Sequence, residues 1–193
     1  MKIECADYPF MSYLDLCSEY KKSRELFFKT HDDAADFAIT LFKGFKSYLK
    51  IAENEYDLIK LVPTIQFSEE DEGEYFSPID EDVSYTPHGA VKLADNGYWV
   101  FSILLRLHMD GNKTLLPAEN IKFDISYKRV QQTVYFKYVQ DRPDMQIKCE
   151  ELVSYMKENV YPEMEKTVVE FYRSQVKFFQ HDRSLERKIG LIP

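Results

Sequence analysis

The chain has 193 residues, is 45% hydrophobic and 30% charged, and carries a formal net charge of −8. That length and hydrophobic share can bury a core without disulfides and exclude a disordered tail. The acidic balance argues against a protein that wraps nucleic acid as a whole, so direct nucleic-acid binding is not expected. The charge is uneven: residues 1–97 hold 20 acids and 10 bases, whereas residues 98–140 hold 3 acids and 6 bases. A basic middle therefore sits inside an acidic protein. Three cysteines, Cys5, Cys17 and Cys149, form no CxxC pair, and they read as reduced thiols in a cytoplasmic setting. The start carries Glu4 and Asp7 and no apolar run, so it does not read as a secretory signal. The most apolar run, 98–109, is too short to span a bilayer, and no membrane contact is expected.

In chain order, residues 10–28 read as an amphipathic helix, with Phe10, Leu14, Cys17 and Leu26 near one face. A second helix is predicted over 31–53, capped by Thr30 or Asp32. Its stripe is Phe37, Leu41, Phe45 and Leu49, and Gly44 weakens it slightly. Residues 61–67 (LVPTIQF) read as extended, with Pro63 limiting them to an edge or a short strand. An acidic loop follows. From about 87 to 140 the apolar period switches from 3.6 to 2, which predicts a sheet with one buried and one wetter face. Asp95-Asn96-Gly97 fits a three-residue hairpin loop with Gly97 left-handed, setting Leu93 opposite Trp99. For the last hairpin, Tyr127 opposite Val134 and Asp124 opposite Lys137 keep the apolar face together. Met145, Cys149, Leu152, Met156 and Val160 then read as one helical stripe, and Pro162 starts or kinks a further helix. The expected architecture is one α+β domain: a helical region over 1–60, an acidic loop region over 61–86, a four-stranded antiparallel meander over 87–141 and a pair of C-terminal helices over 143–190.

The acidic loop has the most unusual composition. Eight of the fifteen residues in 68–82 are carboxylates: Glu69, Glu70, Asp71, Glu72, Glu74, Asp80, Glu81 and Asp82. An EF-hand loop needs Gly at position 6 and Glu at position 12. Placing Gly73 at position 6 puts Ser68 first and Ile79 twelfth, so both ends fail and no metal or other cofactor is expected. Carboxylates spread over a surface can instead imitate phosphates and steer a basic protein in from a distance. Tyr75 and Phe76, between the two acidic clusters, would add contact area. A solvated loop and a loop that meets its own basic sheet are the competing outcomes.

The second candidate is the polar face of the sheet. By the predicted register, His88, Arg106, His108, Lys122, Tyr135 and Lys137 share it with Asp124, an arrangement suited to an anion such as phosphate. Enzyme activity would rest on His88 and His108 alone, because the GxSxG, HExxH, P-loop and GxGxxG patterns do not occur. Cys17 and Cys149 read as core residues on apolar helix faces. Phe171, Tyr172, Phe178 and Phe179 make the last helix broadly apolar, which suits burial in the core or a homodimer through the C-terminal helices. The preferred expectation is a non-enzymatic interaction protein of the inhibitor, immunity or anti-defence type, as phages and mobile elements encode, engaging a basic partner through its acidic loop.

Overall fold

The computed structural model describes residues 12–64, 83, 85–111, 118–138 and 144–180. The acidic run 68–82 and the predicted helix end at Gly190 lie outside the described residues. The class is α+β, as expected, but several elements differ from the predicted ones.

One 36-residue helix, α1 (Tyr13–Tyr48), replaces the two predicted N-terminal helices. Ser12 caps it reciprocally: its hydroxyl accepts from the Asp15 N–H at 3.2 Å, and the Asp15 carboxylate accepts from the Ser12 N–H at 2.9 Å. That bonding to Ser12 holds the Asp15 carboxyl below its ordinary range. Thr30, predicted as a cap, lies inside the helix. Its hydroxyl donates back to the Leu26 and Phe27 carbonyls, both at 3.0 Å, and so does not stop the chain. With no proline between Ser12 and Tyr48, nothing breaks the run. The helix ends through Lys50, which takes a left-handed φ of 57°. Buried Lys46 then donates to the carbonyls of Glu53 and Glu55, at 2.9 and 3.0 Å, and ties the following turn to the helix end.

The sheet has six antiparallel strands rather than four: β1 (Ile59–Val62), β2 (Lys92–Leu93), β3 (Trp99–His108), β4 (Ala118–Val130), β5 (Thr133–Lys137) and β6 (Met145–Lys148). β1 stops before Pro63, as the proline requires, and pairs Val62 with Ser102. β1 and β2 lie end to end along one edge of β3, and β4 takes the other edge. The predicted β2–β3 register is observed: Leu93 faces Trp99, and Gly97 has φ 76°. The region does not begin as sheet, because Thr86 caps a short helix, α2 (Pro87–Ala90). The last hairpin is shifted by two residues from its predicted register: Tyr127 faces Phe136 and Ser126 faces Lys137. Its two-residue turn is Gln131-Gln132, with Gln131 at φ 54°, a position that glutamine does not advertise. A two-residue shift preserves the faces, so the apolar pattern alone could not exclude it.

The predicted stripe from Met145 to Val160 is also corrected. Met145–Lys148 is a strand on β5, with Ile147 buried and Gln146 and Lys148 exposed. A 3₁₀ turn (Cys149–Glu151) and a helical turn, α3 (Leu152–Tyr155), lead into a π-helical turn (Met156–Val160) and then α4 (Tyr161–Gln180). The wide turn comes just before Pro162, whose missing N–H cannot continue the regular ladder.

Alternation along the strands sends Phe101, Ile103, Phe123, Ile125, Val134 and Phe136 to one face, where α1 lies. Phe37 stacks on Tyr127 at 4.2 Å between ring centroids, and Phe45 meets Phe123 edge-on at 5.8 Å. Met156, Val160, Tyr161 and Met164 close the same core from the C-terminal helical run. Each of these large side chains contributes about 1.5–3 kcal/mol by leaving water. The opposite face of the sheet is not uniformly wet. Val62, Val100, Ser102 and Leu104 are buried there too, so β3 is enclosed on both sides.

Candidate interaction surfaces

The outer face of the sheet carries most of the predicted anion site, but His88 is elsewhere. His88 belongs to α2, on the α1 side. Its Nε2 lies 3.1 Å from an Asp32 carboxylate oxygen, and its carbonyl accepts from His31 Nε2 at 3.1 Å. A carbonyl only accepts, so His31 carries its proton on Nε2 in this contact. The His31 ring stacks on Trp99 at 4.9 Å. These contacts pin α2 to α1. Trp99 and His108 are the first and last residues of β3, about 30 Å of strand apart. His88 and His108 are thus near opposite ends of β3 and on different sides of the sheet.

Arg106, His108, Lys122, Tyr135 and Lys137 do project from the outer face by strand parity. Lys60, Lys92, Lys128 and Lys148 join them. The face divides into two parts. Over β1 and β3 it is closed, and a part-buried polar chain centred on buried Ser102 crosses it. Ser102 donates to the Asp124 carboxylate, so its hydroxyl accepts from Thr64 Oγ1 at 2.7 Å. Lys122 stands 3.5 Å from the same carboxylate oxygen. Lys60 is buried in this part. Over β4, β5 and β6 the face is more open, with Lys128, Tyr135 and Lys137 half-buried and Lys148 exposed.

Tyr98 belongs to this open part and was not among the predicted residues. Lys128 lies 5.5 Å from the centre of its ring, and its phenol donates to the Asp144 carboxylate. That hydrogen bond, with burial, pushes the phenol up to about 12, so it acts as a neutral donor at ordinary pH. Continuing the strand parity one residue back from Trp99 would have found it.

At the far end of β3, a cavity of about 320 Å³ is walled by Leu49, Ile51, Leu58, Leu105 and Val168, with His108 at its lining. His108 Nδ1 is buried and finds no hydrogen-bond partner among the described residues. Glu165 lies at the same cavity, where it accepts from the Tyr48 phenol at 2.6 Å. Among the described residues, no group of three or more His, Cys, Asp or Glu side chains converges to hold a metal ion.

The least expected surface is on α1. Its C-terminal half is buried, but Tyr13, Leu16 and Tyr20 are 78%, 54% and 68% exposed. Cys17, predicted as a core residue, is exposed there as well, whereas Cys149 is half-buried beside the core. Residues 13–26 therefore form an arm about 21 Å long that carries apolar side chains into solvent. At its base, a groove of about 290 Å³ lies between the helix and the edge of the sheet. At the other end of the chain, Phe171 of α4 is partly exposed, and the Tyr172 phenol donates to Glu119 at 2.6 Å. No described helix is long and apolar enough to cross a membrane. The chain matches no family model, and neither a curated protein nor a solved structure shows significant similarity to it.

Proposed function

We propose that the protein is a non-enzymatic interaction protein, of the inhibitor, immunity or anti-defence type, that engages a basic partner through the acidic segment 68–82. The observation that carries this reading is the density of charge: eight carboxylates in fifteen residues, with Tyr75 and Phe76 between the clusters. The chain on either side of the segment supports it. The segment follows β1, whose four residues are all buried, and Thr64, whose hydroxyl bonds to Ser102. It precedes α2, which the His31, Asp32 and His88 contacts fasten to α1. Packed, described chain on both sides of a charged segment suits recognition. The test begins with capture of a partner from lysate, followed by association kinetics at low and high salt. Neutralising Asp71, Glu72, Glu74, Asp80 and Asp82 together should slow association severalfold at low salt, with little difference at high salt. An unchanged rate removes the segment from the interface.

A second reading is favoured by the cations on the open part of the sheet. Lys128, Tyr135, Lys137 and Lys148 there suit an anionic ligand, such as a nucleotide or a phosphorylated group. A thermal-shift screen of nucleotides and phosphates tests it. A stabilising hit lost in Lys128→Ala and in Lys137→Ala supports this reading, and a blank screen counts against it.

A further inference from the structure

The apolar spacing of α1 does not stop where the sheet stops. Tyr13, Leu16, Tyr20, Ser23, Phe27, Thr30, Ala34, Phe37 and Leu41 follow one another at intervals of three and four, the spacing of a helix seam. From Ala34 onward that seam is buried against the body. From Tyr13 to Tyr20 it is exposed. The groove at the base of the arm is lined by the three seam residues between, Ser23, Phe27 and Thr30, with Trp99 and Tyr127 behind them.

We propose that a second copy of this chain covers the arm, the two α1 helices pairing antiparallel over residues 13–30 so that Tyr13 and Leu16 of each enter the groove of the other. The seam is symmetric about a point between Lys21 and Lys22. Reversing one helix on the other sets Tyr13 opposite Thr30, Leu16 opposite Phe27 and Tyr20 opposite Ser23. In each pair of positions an exposed apolar side chain meets a residue that lines the groove. A groove of about 290 Å³ has room for an aromatic side chain.

The charges agree with the same arrangement. Residues 12–20 contain two acids, Asp15 and Glu19, and no base. Residues 21–29 contain four bases, Lys21, Lys22, Arg24 and Lys29, against Glu25. Antiparallel pairing lays the acidic half of each arm along the basic half of the other. Asp15, Glu19, Lys22 and Lys29 fall to one side of the seam at 100° per residue. Twofold symmetry keeps that side facing itself, so Glu19, which accepts from its own Lys22 at 2.6 Å in one copy, comes beside Lys22 of the second copy, with Asp15 and the second copy's Lys29 on the same side farther from the seam. A parallel pair would set like charges together at both levels. The seam covers less than a standard interface, so a dissociation constant in the micromolar range is expected.

The test is sedimentation of the full chain from low to high micromolar concentration. A monomer–dimer equilibrium should appear, and Leu16→Glu combined with Tyr20→Glu should abolish it. The thermal melt of that variant at low concentration should match the wild type, because both side chains are exposed in one copy. Glu19→Lys and Lys22→Glu should each weaken self-association about tenfold. An equimolar mixture of the two should associate within about threefold of wild type, since every cross-pair is again of opposite sign. Recovery in the mixture distinguishes antiparallel pairing from any general loss of helix charge. A chain that stays monomeric overturns the proposal, as does a dimer that survives the Leu16 and Tyr20 substitutions, or a mixture no stronger than its parts.

Discussion

Between Ala34 and Phe45 the seam of α1 lies on Phe101, Tyr127, Phe136 and Phe123. Between Tyr13 and Tyr20 the same spacing continues with the side chains in the open. The two halves differ little in pattern. What differs is the surface opposite them: β3 begins at Trp99, level with Phe27 and His31, and the helix runs on past it. Periodicity therefore reports that a helical face is destined for burial, but not whether its own chain supplies the cover. Substitutions in the inner half are expected to act on folding, and those in the outer half on association.

The largest expected effect is at Phe45, which is fully buried against Phe123 and Tyr161. Phe45→Ala should lower the unfolding free energy by about 3–5 kcal/mol, read from urea melts. A loss below about 1 kcal/mol would mean that the inner half of α1 is not held as described.

Alkaline pH probes the same half without mutation. Burial pushes the Tyr127 and Tyr161 phenols up to about 12. Tyr127 stacks on Phe37, and Tyr161 packs beside Phe45. In the unfolded chain both titrate near 10. Between these values the unfolded state loses protons that the folded state keeps, so stability is intact below pH 10 and falls as pH rises toward 12. Each phenol contributes about 2–3 kcal/mol to that fall. Urea melts at pH 9 and pH 11 capture about half of it, about 1.3 kcal/mol per phenol, and Tyr161→Phe should make the decline shallower.

Gly44 gives a smaller and more local test. A Cβ built there would stand 1.9 Å from Tyr161 Oη and 2.7 Å from the ring carbon that bears it. Glycine in this helix therefore permits a close approach, where the sequence suggested only a weak point. Gly44→Ala should cost about 1–3 kcal/mol despite the higher helix propensity of alanine. Adding Tyr161→Phe should recover part of the loss, because the nearest atom goes and the ring carbon stays. If Gly44→Ala stabilises the protein, the helix and Tyr161 are not in contact.

Much of the sheet was legible in the sequence because its signals are strictly local. Asp95-Asn96-Gly97 set the β2–β3 register, Pro63 ended β1, and alternation assigned Trp99 to His108 to faces. The errors arose where one local signal admits two outcomes. Thr30 can cap a helix or bond back to its own preceding turn, and it does the latter. Met145, Cys149 and Leu152 fit helical spacing, while Met145 and Ile147 equally fit a strand, and pairing with β5 decides. Of the candidate sites, the lysines on β4 and β5 were readable from parity. His88 leaves the group because Pro87–Ala90 is a helical turn and not part of the sheet. Burial of the outer face over β3 depends on contacts that no alternation encodes.

The smallest expected effect is the one that separates the two halves most cleanly. Leu16 is an exposed leucine whose neighbours along the seam, Tyr13 and Tyr20, are also exposed. Leu16→Ala should therefore change the unfolding free energy by less than about 0.5 kcal/mol when measured on dilute protein. Alanine is the better helix former, so even the sign can favour the variant. At high concentration the outcome should differ: if two arms share the seam, stability is linked to association, and Leu16→Ala should lower the melting temperature only there. A loss of about 2 kcal/mol at low concentration would show that Leu16 packs within its own chain. The outer half of α1 would then belong to the core like the inner half, and the contrast between them would disappear.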